Sequence, residues 1–168
     1  MTRDRIGTAW AGLALIGLGI TFLLAQVIGW DRIWPVFPLL AGLAFLGGYV
    51  ASGFRESGFV FIGTGATLVG LLFFGFSLGY WEWDQMADLW PVFPIIGGLA
   101  FIALFAAEGA RDLGVLGVGC AAIIVGLAAF GVTYGFLGAG IWRLWPLLLV
   151  FLGLVGLANA VWRLIRRG

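Results

Sequence analysis

Six long apolar runs, separated by short polar or aromatic breaks, fill almost the whole chain. They lie at about 6–29, 35–52, 58–80, 91–107, 113–137 and 144–162. At 1.5 Å of rise per helical residue each is long enough for a hydrocarbon core of about 30 Å, the second and fourth only just. None shows the alternation of a half-buried strand, and a segment in lipid must satisfy its own backbone hydrogen bonds. The pattern therefore predicts an all-α integral membrane protein with six transmembrane helices. The connections are short, so successive helices run antiparallel. The first run follows Met1-Thr2-Arg3-Asp4-Arg5 and is far longer than the roughly 7–15 apolar residues of a signal peptide, so it is read as a retained span.

The breaks repeat. Trp34-Pro35-Val36-Phe37-Pro38 recurs as Trp90-Pro91-Val92-Phe93-Pro94 and, more loosely, as Trp145-Pro146-Leu147-Leu148-Leu149. Each copy is followed at the same distance by Gly-Leu, at Gly42-Leu43, Gly98-Leu99 and Gly153-Leu154. The breaks on the opposite side read Gly53-Phe54-Arg55-Glu56-Ser57-Gly58 and Gly109-Ala110-Arg111-Asp112-Leu113-Gly114, with a looser form at Arg3-Asp4-Arg5-Ile6-Gly7. Each unit starts at Arg-acid, crosses the membrane, turns at Trp-Pro and crosses back. The expectation is one membrane domain, 1–168, made of three parallel-repeated helical hairpins at about 3–54, 55–110 and 111–168. A pseudo-threefold bundle and a row of hairpins fit equally well.

The outward-going spans carry a second pattern. Gly12, Gly19 and Gln26 are spaced by seven; so are Gly63, Gly70 and Ser77, and Gly119, Gly126 and Thr133. Seven residues is nearly two turns, so each set lies on one face. Glycine lets a second backbone approach, and a polar side chain can hydrogen-bond across the contact. These nine residues are the expected helix-packing seams. A polar lining for a substrate is the competing reading, but one polar atom per helix makes no pathway.

Helix-start chemistry explains most of the Trp-Pro phrase. Proline at the first helical position loses no hydrogen bond, and Asp31 and Asp88 precede the second and fourth spans, where a carboxylate suits the helix dipole. Gly29, Gly79 and Gly135 follow the preceding spans as C-terminal glycines do. Trp34, Pro35, Trp90, Pro91, Trp145 and Pro146 thus form three outer interfacial elbows. The second elbow is the longest and mixes aromatic with acidic side chains from Tyr80 to Trp90. Its Trp81, Trp83, Asp84 and Asp88 are the candidate partner surface.

Composition agrees with the pattern: 62% of residues are hydrophobic and 10% charged, where a soluble domain has roughly a quarter charged. Net charge is +1, with no His and a single cysteine, Cys120. Disulfides within the chain and Cys/His metal sites are excluded. Every basic residue is Arg. Arg3, Arg5, Arg55, Arg111, Arg163, Arg166 and Arg167 fall on one side of the predicted membrane, and only Arg32 and Arg143 on the other. The positive-inside rule places both termini in the cytoplasm. Trp30, Trp34, Trp81, Trp83, Trp90, Trp142 and Trp145 then ring the outer interface.

No chemistry emerges from this inventory. No span holds a charge near its centre, as proton relays, voltage sensors and most carriers do. Glycine-rich stretches such as 12–19 lie inside apolar helices and lack the strand and Lys of a phosphate loop. Glu108 reads as a loop acid beside Arg111, Asn159 as interhelical glue, and Cys120 as a small packing residue. Catalytic residues, metal ligands and cofactor sites are expected to be none, and nucleic acid is not a partner.

The Trp-Pro-x-x-Pro segments 34–42 and 90–98, and less fully 145–153, resemble the transmembrane region of the LiaI/LiaF-like family of bacterial envelope-stress proteins. The resemblance implies a bacterial inner-membrane module that senses or transmits envelope stress through other membrane proteins, often a histidine kinase. LiaF-type members add a soluble C-terminal domain that has no counterpart in residues 1–168. The expected function is a non-enzymatic multi-pass membrane protein acting through contacts with other membrane proteins and lipids, with an oligomer or larger complex as its setting. The alternatives are an accessory subunit of a bioenergetic membrane complex and a transporter of a hydrophobic small molecule.

Overall fold

A computed structural model describes residues 2–165, with the side chains of 7–138 and 140–162. The side chains of Arg3, Arg5, Arg163, Arg166 and Arg167, on which much of the orientation argument rests, lie outside the described residues. The described backbone is helical, with no strand. In order it forms α1 (Thr2–Ile28), the single turn α2 (Trp30–Ile33), α3 (Val36–Ala51), α4 (Gly58–Ser77), a 3₁₀ turn at Trp83–Gln85, α5 (Met86–Leu89), α6 (Val92–Ala107), α7 (Leu113–Thr133), a 3₁₀ segment at Ala139–Leu144 and α8 (Trp145–Ile165). The six long helices coincide with the six apolar runs.

Five segments are long and apolar enough to cross a membrane: 7–28, 30–51, 58–77, 113–133 and 140–162. The sixth, 83–107, passes only with its two parts taken together, and they bend by 61° at residues 90–91. The two closest Trp-Pro phrases therefore behave differently. The first leaves α2 and α3 close enough to one line to count as a single span, whereas the second breaks the run. The chain is an all-α multi-pass membrane protein with five candidate spans and a sixth that is sharply bent.

The chain divides into two compact units, Met1–Met86 and Ala87–Gly168. In the first, α3 packs most closely on α4, with α1 lying more loosely on α3. In the second, α6 packs most closely on α7, with α8 more loosely on α7. The tight pairs are thus joined by the Arg-acid loops, and not by the Trp-Pro elbows.

Those loops share one backbone trace. In the first, the Gly53 N–H donates to the Val50 carbonyl (3.0 Å) and the Phe54 N–H to the Tyr49 carbonyl (3.0 Å). In the second, the Gly109 N–H donates to Ala106 (3.0 Å) and the Ala110 N–H to Phe105 (2.9 Å). These are Schellman ends, closed by glycine in the left-handed region at φ 70° and 75°. Unusually, the next residue is left-handed too, Phe54 at φ 62° and Ala110 at φ 57°. A side chain there crowds the following carbonyl, at about 1–2 kcal/mol. The same strain 56 residues apart shows that both loops are built alike.

Gly29, Gly79 and Gly135 have positive φ, as expected of residues that end a helix. The prolines sit one place earlier than expected: Pro35 and Pro91 cap α3 and α6, which start at Val36 and Val92. Asp31 and Asp88 lie in the one-turn helices α2 and α5 that precede the elbows.

Candidate functional site

The α3–α4 contact is made by glycine backbones. A Cβ on Gly42 would strike Thr67 and lie 2.8 Å from the Gly63 carbonyl oxygen, and one on Gly63 would lie 2.9 Å from the Gly42 carbonyl oxygen. One on Gly70 would lie 2.8 Å from the Leu39 nitrogen. The α6–α7 contact repeats these meetings 56 residues on. A Cβ on Gly98 would lie 2.6 Å from the Gly119 carbonyl oxygen, one on Gly119 2.9 Å from that of Gly98, and one on Gly126 3.2 Å from the Ile95 nitrogen. Gly63, Gly70, Gly119 and Gly126 are buried at these crossings. Backbones this close allow Cα–H···O contacts between the helices, which add to their dispersion attraction.

The third residue of each seven-spaced set behaves differently. Ser77 Oγ is buried with no hydrogen-bond partner. Thr133 is half-buried at the end of α7. The polar group that serves the α4 helix is instead Thr67, whose Oγ1 donates to the Gly63 carbonyl at 2.7 Å.

The α1 set is not brought against another helix. A Cβ on Gly12 or Gly19 would meet no atom of another element within 4 Å, and Gln26 is exposed. Contact with α3 runs along a neighbouring face, where Gly17 meets Leu40, and Trp10 covers Gly47. Thr21 on that face is only 3% exposed and donates to the Gly17 carbonyl (2.8 Å). The seven-residue spacing alone selected the wrong register in α1. The elbow distance gives a different repeat register: Thr21 precedes Trp34 by as many residues as Ser77 precedes Trp90. On that count Gly7, Ala14 and Thr21 correspond to Gly63, Gly70 and Ser77.

The elbows differ in the same way. Pro35 and Pro91 are the largest fully buried side chains, whereas Pro146 is exposed. The Pro91 carbonyl oxygen would lie 2.8 Å from a Cβ on Gly126, so this proline is covered by α7. Trp90 and Trp145 are exposed and Trp34 is half-buried.

The candidate partner surface begins as an aromatic cluster. Trp83 stacks on Phe76 (centroids 5.0 Å), on Trp34 (6.2 Å) and on Phe73 (6.3 Å), and Trp34 lies 4.9 Å from Phe73. Trp81 packs on Phe76 at 5.7 Å and covers Gly75, where a side chain would collide with its ring. Each such ring pair contributes about 0.5–1.5 kcal/mol beyond area. The cluster ties the start of the second elbow to the first, so Trp34, Trp81 and Trp83, distant in sequence, form one patch. The loop holds itself by a reciprocal cap, in which the Gln85 side-chain oxygen accepts the Glu82 N–H at 3.1 Å and the Gln85 N–H donates to the Glu82 carbonyl at 3.0 Å. Trp83 remains 52% exposed, and Asp84 and Asp88 are exposed. Within the first unit this arrangement offers an amphipathic rim of indole faces beside the Asp84 carboxylate.

In the second unit Asn159 is joined to the start of α7. Asp112 Oδ1 accepts both the Gly114 N–H (2.9 Å) and the Asn159 Nδ2 (2.7 Å), so one carboxylate caps α7 and holds α8 to it. Sequence reasoning found Asn159 but not its partner, because the two lie 47 positions apart with no spacing rule between them. It also missed an apolar groove of about 740 Å³ between α1 and α3, lined by residues such as Trp10, Leu13, Leu40 and Gly47. Cys120 borders a smaller cleft between α7 and α8, with Gly117 and Val155.

A family model of the LiaI-LiaF-like transmembrane region matches residues 60–102. The match runs from α4 through the whole second elbow into α6, and names the family that the Trp-Pro phrases resemble. No curated protein and no solved structure matches the chain.

Proposed function

We propose, with residues 60–102 as a LiaI-LiaF-like transmembrane region, that this chain is a non-enzymatic envelope-stress or membrane-organising module of the bacterial inner membrane. It acts by docking other membrane proteins against the outer rim. The family match carries this reading, because the matched stretch is centred on the one elbow that is long, aromatic and acidic. The physical support is the rim itself. Trp83 and Trp81 are held by aromatic neighbours and still expose ring faces, so a partner would meet them without first ordering them. Indole anchors of this kind, flanked by charges that set register, are what protein–protein contacts use. The termini lie in the cytoplasm in this reading, which sets the rim on the opposite face.

Two measurements test it. Loss of the gene changes the transcriptional response to a cell-wall-active stress, and the chain bearing Trp83→Ala with Asp84→Asn fails to restore it although it reaches the membrane. An unchanged stress response in the deletion strain would overturn the envelope role. A reporter fused after Gly168 reads as cytoplasmic; a periplasmic signal would overturn the orientation and with it the outer placement of the rim.

A further inference from the structure

The repeat register gives α1 and α8 defined counterparts. By a constant shift of 56 residues, α1 corresponds to α4 and α7: Gly7, Ala11 and Ala14 stand where Gly63, Thr67 and Gly70 stand, and where Gly119, Ile123 and Gly126 stand. Likewise α8 corresponds to α3 and α6: Val150, Gly153 and Leu157 match Leu39, Gly42 and Leu46, and Ile95, Gly98 and Ile102. In the middle of the chain these two kinds of face are joined, α3 to α4 and α6 to α7, in one contact made twice. At the ends they are open. Gly42 and Gly98 are buried, yet Gly153 is exposed, and a Cβ there would meet nothing. Val150 and Leu157 are 57% and 66% exposed, whereas their four counterparts are half-buried. Gly7 and Ala11 are exposed as well, a Cβ on Gly7 would also meet nothing, and Ala11 with the half-buried Ala14 lines the open apolar groove between α1 and α3.

We propose that α8 of one copy binds α1 of a second copy, through the same glycine seam that joins α3 to α4 and α6 to α7. The two faces are complementary rather than identical, so the contact is head-to-tail and generates a ring or a row in the membrane plane. The directions agree, because the first and sixth crossings of a six-span chain run opposite ways, as α3 and α4 do. Gly7 supplies the close approach to Gly153 and Leu157. Ala14 replaces the glycine of Gly70 and Gly126, so the helices part slightly at that level. The exposure of Pro146 fits the same account: Pro91 is covered by the helix that packs on its span, and the helix that would cover Pro146 belongs to the neighbouring copy. This surface is separate from the aromatic rim and does not rest on the envelope-stress reading.

The test uses the full-length chain in native membranes with Cys120→Ala as background. Ala14→Cys is placed on one tagged copy and Val150→Cys on a differently tagged copy, the pair that corresponds to Gly70 against Leu39. Mild oxidation gives a mixed disulfide dimer carrying both tags, and little product when both copies carry the same substitution. Predominant same-position dimers would show a symmetric contact and overturn the proposal. So would the double variant closing within a single chain, or no product between copies at all. Adding Gly153→Leu lowers the mixed product about tenfold, the effect of overfilling a close seam. Adding Leu154→Ala, on another face of α8, leaves it unchanged. An unchanged yield with Gly153→Leu would sink the proposed seam, and the chain's own fold leaves room for the substitution because a Cβ on Gly153 meets nothing within 4 Å.

Discussion

Gly98 and Gly153 hold the same place in the repeat, each eight residues past its Trp, and they live in opposite surroundings. Around Gly98 the α7 backbone and the Ile123 side chain leave no room for a Cβ. Around Gly153 there is open space. The same contrast separates the α3–α4 and α6–α7 pairs from the terminal helices α1 and α8. A local sequence pattern prepares a face for packing, but only a partner at the right distance along the chain makes it a core. Within each compact unit that partner arrives across a short Arg-acid loop. Within residues 2–165 no such loop joins the matching faces of α1 and α8.

Substitution should break this contrast most sharply at the glycines. Gly98→Leu would drive a side chain into the Gly119 carbonyl and the Ile123 backbone, and is expected to cost about 3 kcal/mol or more in reversible denaturation from mixed micelles. Gly153→Leu in the same assay, at protein concentrations where single copies prevail, changes stability by no more than about 0.5 kcal/mol. Equal losses at both sites would erase the distinction between joined and open faces.

The loops give the next effects. Asp112→Ala removes the α7 cap and the hold on Asn159 together, at a cost of about 2 kcal/mol. The first loop has no such carboxylate. There Ser52 Oγ donates to the Tyr49 carbonyl (2.7 Å) and accepts the Arg55 N–H (3.2 Å), and Ser52→Ala costs less than Asp112→Ala. A larger loss at Ser52 would mean that the two loops carry their units differently from what their bonds imply. Ala110→Gly removes the side chain from a left-handed residue and raises stability by about 1 kcal/mol in the same denaturation assay. A loss would show that Ala110 is not held at positive φ. Smallest is Ser77→Ala, which deletes a buried hydroxyl without a partner and stabilises by about half a kcal/mol. A marked loss there would show that Ser77 Oγ has a partner in the membrane.

Much of the fold was legible because lipid leaves few choices. Runs such as 113–137 specify a spanning helix by length and apolarity alone, and Gly79 and Gly135 mark helix ends by a conformation that few other residues tolerate. The register of α1 was not legible from seven-residue spacing. Gly12 and Gly19 satisfy the spacing, but the α1 residues that meet α3 include Trp10 and Gly17, which only the structure reveals. The 61° break at Trp90-Pro91 was equally hidden, since Trp34-Pro35 has the same local sequence and leads into a straighter span. The rim was half legible. Trp81 and Trp83 stood out by composition, but their cluster with Trp34, Phe73 and Phe76 depends on how α4 brings two loops together.

That cluster has an optical consequence. Trp34 and Trp83 lie 6.2 Å apart with rings tilted by only 27°, a separation at which excitation passes between indoles before either emits. Light absorbed by either ring of the rim can therefore be emitted by the other. Replacing Trp83 alone would leave Trp34 without its acceptor, and a molecule seated on the rim would alter the emission of both.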